Sequence, residues 1–506
     1  MATELSCSKQ LATKVEELRG FHPRETGNNN HARFVKYIAK QLEGLGLVVN
    51  TDTLRFNRWE LGCCKLTVQG SGVDVASAYP YSGGTPSTGV TGPLQLFSWW
   101  HRWKDNTGKI AVIKVPNPSV PISLLLDDVG HPANASDLRN FPRTYPHPVL
   151  SATVFGPDLA AAKAARTIGV VAVWKEKQLT AAQANAQYVP FTFPYQDIPA
   201  VWVAGKEGKQ ILDSARRRES ATLTLDATVS REAPTHTVWA VVKGEVHPDE
   251  TILVVTHTDG GNDVEENGAI GVLDLVRKFA SERPKRTLVF VFVTGHLRSA
   301  IGNQATTEWL NAHPERWSGK KKAVAGLVIE HLGALETQRR SDGGQVEPAV
   351  QLIYATNSKM QDTLRNSWTE KMGKVLIARP AWHVHFGEGE PLYKRGIPTI
   401  ALASVPKYLL ATNVDDHVDS ELMYEQIGVL ACALRALDDT PKEQLGRAEL
   451  VSCTSKLRSF VQFLLFIALN PTLVFHLSAF VKAARREDKT LLTFESTRPG
   501  EPKRNS

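Results

Sequence analysis

The chain is short of the features that would commit it to several functional classes. It has five cysteines in 506 residues, Cys7, Cys63, Cys64, Cys432 and Cys453. Their odd number and the adjacent pair argue against a disulfide framework or a cysteine-based zinc site, and for reduced thiols. No lysine–arginine block and no basic-aromatic stripe is present. A net charge of +7, spread over this length, implies no electrostatic commitment to nucleic acid or lipid headgroups. The opening MATELSCSKQLATKVEELRG has no uninterrupted apolar run behind a basic end. A secretory signal is therefore not expected, and the expected location is cytoplasmic. Internal repeats are absent as well.

What is present reads as several domains, since a single core does not grow to this length. Residues 31–46, HARFVKYIAKQLEGLG, carry apolar side chains at helical spacing and stop on glycine, which predicts a Gly-capped helix with a strand after it. From about 66 to 235 the texture changes. Short β-type runs, KIAVIKVP, GVVAVWK and PAVWVAG, alternate with Gly, Pro and Ser clusters and predict a compact β-rich module. From 236 the pattern is strand then helix, with TILVVT, TLVFVFVT, VAGLVI, AVQLIYAT and GIPTIALAS as continuous apolar strands. That pattern predicts an α/β fold with a doubly wound, mostly parallel sheet buried on both faces. The helix DSELMYEQIGVLACALRALDD closes the block near 440, with Asp419 or Ser420 as its N-cap.

The expected organisation is thus 1–65, 66–235, 236–440 and an apolar helical tail, 441–506. Within the tail, FVQFLLFIALNPTLVFHLSAFV, 460–481, is long enough to cross a bilayer and has basic residues on both sides. Gln462, Asn470, Pro471 and His476 interrupt it. The favoured reading is two short apolar helices packed on the body, and weak membrane association is the alternative.

Ligands of a doubly wound sheet bind beyond the carboxyl ends of its strands, so the residues just after each strand carry the functional signal. After the first strand comes HTDGGNDVEENG, with His257, Asp259, Asp263, Glu265 and Glu266. After the second, VTGHL supplies His296, and after the third, IEHLG supplies Glu330 and His331. Further on, HVHFGEGEP supplies His383, His385, Glu388 and Glu390, and DDH supplies His417. With 15 histidines in 506 residues, chance places one in about one three-residue window in eleven. Three successive strands each ending in histidine stand above that background.

Imidazole and carboxylate together suit zinc and similar ions, and carboxylate in excess allows a bridge between two ions. Each residue also has a plainer reading. A strand-end histidine can cap a carbonyl or pack in the sheet. Glu265 and Glu266 sit near a helix N-terminus, where negative charge is favourable.

The layout resembles the zinc aminopeptidase and carboxypeptidase family that includes plasma glutamate carboxypeptidase, with the transferrin receptor as a non-catalytic relative. The resemblance covers most of residues 1–440. LRGFHPRETGNNNHARFVKYIAKQLEGLGL looks like the family's opening helix. DNTGKIAVIKVP and IPAVWVAGKEGKQIL look like pieces of its inserted protease-associated domain, and GIPTIALAS resembles its Gly-Ile-Pro strand.

The metal motifs match in part. HTD retains the family's His-x-Asp as His257 and Asp259. The bridging Asp falls on or beside Glu265, the Glu-Glu pair of general base and ligand on His296-Leu297, and the next ligand on Glu330 or His331. Where the last ligand His is expected, His417 is the nearest substitute. A leucine cannot bind zinc, so the usual two-zinc site is not preserved. The replacements are nonetheless His and Glu, which amounts to an exchanged donor set.

The resemblance implies a metal-dependent hydrolase of a peptide or other small amide, holding one divalent ion, zinc, or two; the charge balance adds the expectation of no nucleic-acid contact. His257 would be a ligand, oriented by Asp259 through its other ring nitrogen. Glu265 would be a second ligand or bridge, and His296 and Glu330, with His331 and His417 as further candidates, would complete the shell. Glu266 would be the general base, with Glu388 and His417 behind it. The inserted module would be a lid. A non-catalytic binding protein, or acyl transfer or cyclisation on the same scaffold, is the alternative.

Overall fold

The computed structural model describes residues 5–97, 103–124, 126–130, 144–146, 155–175, 195–296, 304–319, 322–340, 343–368, 375–381, 385–404, 406–409, 411, 417–470, 473–474 and 493–497. His383, Leu297, Asp415 and Asp416 lie outside these residues, as do 471–472 and 475–481 of the apolar tail. The helix expected near residue 31 spans Asn29–Gly44, with the Asn28 side chain accepting from His31 N at its start. The chain turns out of it at Gly46, whose φ of 75° suits glycine.

The next strand, Val49–Val68, pairs antiparallel with Ser220–Val242 from Val49↔Ala240 to Val68↔Ala221. Near its far end this ladder carries the module strands Val90–Leu96, Ile110–Pro116, Gly169–Lys175 and Ala200–Val203, side by side and parallel to one another. At its near end Ser220–Val242 joins the central sheet.

Central strand order runs Ser220–Val242, Arg286–Val293, His247–His257, Lys322–Glu330, Thr399–Ala403, Gln351–Ala355, Val375–Pro380. His247–His257 lies parallel between Arg286–Val293 and Lys322–Glu330, and Thr399–Ala403 is parallel to the latter. Gln351–Ala355 enters antiparallel, so the sheet is mostly parallel. Every residue of Arg286–Val293 is buried, because both faces are covered. Ile252 and Val254 enter one core with Phe34, Ile38 and Leu430, whereas Leu253 and Val255 enter another with Trp239 and Trp309. Val375–Pro380, from VLIARP, was not among the expected strands.

The closing helix spans Ser420–Asp439, with the Asp419 carboxylate accepting from Glu421 N and Leu422 N as N-cap. The tail helix, Cys453–Leu469, ends at Asn470 and has Ser459 as its one buried residue among those described. Phe463, Phe466 and Ile467 lean on the body, and Leu457, Val461, Leu464, Leu465 and Leu469 face outward. Among the described residues no helix is long and apolar enough to cross a membrane.

Candidate metal centre

Parallel register brings the strand ends together. His257 pairs with Val293, three residues before His296, and Glu330 is the last residue of its own strand, beside Ala403. His257, Glu265, His296, Glu330 and His331 therefore arrive at one edge, each 4% exposed or less.

The turn after His257 is held from within and from outside. Asn262 Oδ1 accepts from Val264 N and Glu265 N, both at 3.1 Å, and its Nδ2 donates to the carbonyls of Leu409 and Ala411 at 2.9 Å. Asn267 exchanges two hydrogen bonds with the Leu332 backbone, at 2.7 and 2.8 Å, and so ties the turn to the Glu330–His331 strand end. His331 itself has φ 58°. That left-handed conformation is uncommon outside glycine, and it is kept here where the surrounding bonds over-determine it. Gly387 approaches so closely that a Cβ there would lie 2.5 Å from Glu330 Oε2.

Three imidazoles share one design. His257 Nδ1 faces the Asp259 carbonyl at 2.8 Å, and His331 Nδ1 faces the Ser404 carbonyl. A carbonyl only accepts, so both Nδ1 atoms carry hydrogen and both Nε2 atoms keep a lone pair. His296 Nδ1 donates to Glu388 Oε1 at 2.7 Å. Such support of the non-ligating nitrogen is what orients metal-binding histidines.

Between the rings lies Glu265, with one oxygen 3.5 Å from His296 Nε2 and the other 3.4 Å from His331 Nε2. Neither oxygen accepts a hydrogen bond, and His331 Nε2 makes none either. A buried carboxylate with no hydrogen bond, faced only by imidazole nitrogens at 3.4 and 3.5 Å, is poorly compensated, so this donor set fits a cation.

Two triads have ligand atoms mutually within 4.8 Å, namely His257–Glu330–His331 and His257–Glu265–His296. Ring geometry separates them. His257 and His296 stack with centroids 4.0 Å apart and planes 10° apart, whereas His257 and His331 meet at 73°. An imidazole lone pair lies in the ring plane and a zinc–nitrogen bond is about 2.1 Å long. Lone pairs in two stacked planes do not meet on one ion, while those of His257 and His331 can.

Burial sets the electrostatics. It holds His257 down to about 3, with His296 adding to the effect, and His331 down to about 4. It pushes Glu330 up to about 8. For His296 burial works the other way, but the facing Glu265 carboxylate, the hydrogen-bonded Glu388 carboxylate and Glu330 keep the ring well above its ordinary value.

Other expected roles change. The Asp259 carboxylate does not hold His257, whose partner is the Asp259 carbonyl. It accepts from Gly295 N at 3.2 Å, His296 N at 3.3 Å and Thr26 Oγ1, and so fixes the neighbouring loop. Burial would raise this carboxyl, but His31, His296 and His257 hold it below its ordinary value. Glu266 turns away to buried Arg24, with His22 at 3.6 Å, which removes it from the base position. Glu388 accepts from His296 Nδ1, from Thr306 N at 3.2 Å and from Thr306 Oγ1. His417 stands outside both triads, its ring 4.6 Å from that of Tyr408. His385 stacks on Tyr354 at 4.2 Å, and Glu390 pairs with Lys394 at 2.9 Å.

Sequence reading missed Arg19, Arg24, Thr306 and Ser404. Only Ser404, at the end of GIPTIALAS, carried a strand-end signal.

No protein-family model and no curated protein matches this sequence. Solved structures do. A zinc aminopeptidase from Bacillus subtilis aligns with TM-score 0.59 at 14% identity, over 89% of this chain and 100% of that one. A peptidase M28 precursor from Shewanella amazonensis aligns with TM-score 0.60 at 16% identity, over 88% and 98%. An aminopeptidase from Aneurinibacillus sp. strain AM-1 gives 0.54 at 15%, over 88% and 95%. At these identities the likeness shows the fold, that of zinc aminopeptidases.

Proposed function

We propose that the chain is a metal-dependent hydrolase of a peptide or other small amide, with one zinc ion held by His257, His331 and Glu330. Two histidines and a glutamate form a donor set known from catalytic zinc sites that keep an open position. The observation that carries this reading is the buried Glu265 carboxylate, with no hydrogen-bond partner, beside two Nδ1-anchored histidines. When bound, such an ion polarises a substrate carbonyl and makes water a stronger acid.

The chain's own groups supply the rest. Glu265, not Glu266, takes the proton from the attacking water and returns it to the leaving amine. His296 faces Glu265 through Nε2 and holds a proton there, with Glu388 fixing its ring through Nδ1. Asp259 keeps the His296 loop against the His257 turn. The module of residues 66–235 shapes access, since its Tyr79, Trp174 and Trp202 share a core with Val264 of the turn and with Tyr408.

A second reading, a binding protein without catalysis, is favoured by one observation: His296 is held well above its ordinary value between two carboxylates. It can therefore neutralise the cluster without a metal. Metal analysis of purified protein, together with hydrolysis of aminoacyl and N-acyl anilides, separates the two. The hydrolase reading expects about one equivalent of zinc, as one three-ligand site requires, lost in both His257→Ala and His331→Ala. Metal-free protein that stays inactive after zinc or cobalt addition sinks it.

A further inference from the structure

The outward face of Cys453–Leu469 has no part in the chemistry above. Leu457, Val461, Leu464, Leu465 and Leu469 recur at three- and four-residue steps, which makes one stripe of a helix. That stripe faces solvent: Leu464 is 51% exposed, Leu465 59% and Leu469 81%. Leu450 and Val474, also exposed, extend the apolar surface past both ends of the helix. Contiguous apolar surface of this kind marks an interaction site.

Charge identifies the occupant. From 450 to 486 the sequence carries Lys456, Arg458, Lys482, Arg485 and Arg486 and no acidic residue, with Glu449, Glu487 and Asp488 just outside it. Lys456 is exposed next to Leu457, while Arg458 is engaged with Asp127. The helix has 17 residues, about 25 Å at the usual rise, less than a bilayer's apolar core. It fits a position in the interface plane, with leucines among acyl chains and cations at headgroup level.

We propose that the Leu457–Leu469 face docks the protein on an anionic lipid surface. Cosedimentation of the full chain with vesicles tests this. Vesicles of phosphatidylcholine and phosphatidylserine are expected to bind at least about tenfold more tightly than phosphatidylcholine alone, and binding should weaken as salt rises. Leu464→Glu/Leu465→Glu should lower binding at least about tenfold with an unchanged melting temperature, and Lys456→Glu about fivefold.

Several results would overturn the proposal. No binding to anionic vesicles is one, and binding that survives the double substitution is another. A dimer that the double substitution dissociates would assign the face to a second copy. A large drop in melting temperature would mean that the chain's own apolar segment covers it.

Discussion

Three acidic side chains of the turn after His257 have opposite fates within four residues. Asp263 meets Arg19 at 2.8 Å and Glu266 meets Arg24, both arginines coming from the N-terminal segment. Glu265, between them in sequence, meets no arginine or lysine among the described residues, only imidazole nitrogens at 3.4 and 3.5 Å. Successive side chains at a helix start point apart, so one turn can face two environments. Where the carboxylates serve the fold, the chain supplies its own cations. Where one faces the strand ends, the chain supplies imidazoles, of which the Nδ1-anchored His257 and His331 offer lone pairs that suit a metal ion.

The largest effect that would break this contrast is in catalysis. Glu265→Gln should lower kcat by about two to four decades, the usual worth of a positioned general base. Zinc content should stay near that of the unmodified protein. In metal-free protein the same change should alter stability little, since it removes a buried carboxylate that has no hydrogen bond but faces the His296 ring. Loss of zinc with the activity would make Glu265 a ligand instead.

On the other side of the turn the expected loss is in stability. Arg24 is fully buried, donates through Nη1 to the Leu18 carbonyl at 2.6 Å and stacks over Phe34 at 4.7 Å. Arg24→Met leaves Glu266 with only His22 near it and should cost about 3–5 kcal/mol in denaturant unfolding, with much of this regained in Arg24→Met/Glu266→Met. Burial already pushes Glu266 from 4.5 up to about 7. The folded state thus binds more protons than the unfolded one across that window, so this group makes stability fall as pH rises from 4.5 to 7. Glu266→Gln should remove that slope.

Chelation sharpens the comparison from the ion's side. Stripping zinc should lower stability by about 3 kcal/mol, the linkage expected when free metal exceeds its dissociation constant about a hundredfold. His331→Ala should be insensitive to the chelator. Equal thermal shifts in both proteins would place the ion elsewhere.

The same division governs what could be read from sequence. Apolar runs fixed by two-sided burial, such as TLVFVFVT, show where strands end, and the strand ends bear His257, His296, Glu330 and His331. Val375–Pro380 is short, with an arginine inside it, and escapes that signal. The partners of Asp263 and Glu266 lie more than 240 residues away in FHPRETG and its preceding helix, and no local pattern links them. Whether His257 is held by a carbonyl or a carboxylate depends on turn conformation, which residue types alone do not specify. The exposure of Leu464 and Leu465 is likewise a tertiary fact. A helix apolar nearly all round reads as buried, yet the sheet faces beside it are already covered.

The smallest effect concerns support for the ring that faces Glu265. Glu388 receives His296 Nδ1 at 2.7 Å, while its backbone N donates to Glu330 Oε1 at 2.6 Å, so one residue steadies both the proton-holding ring and a proposed ligand. Glu388→Gln keeps the backbone bond and an accepting oxygen but removes the charge. Outer-shell changes of this type cost about 10- to 100-fold. The expected result is a fall of that size in kcat with KM and zinc content unchanged, because the ligand contact runs through main chain. A matching loss of zinc would instead show that the His296 side of the cluster holds the ion, and would reverse the assignment made from the stacked rings.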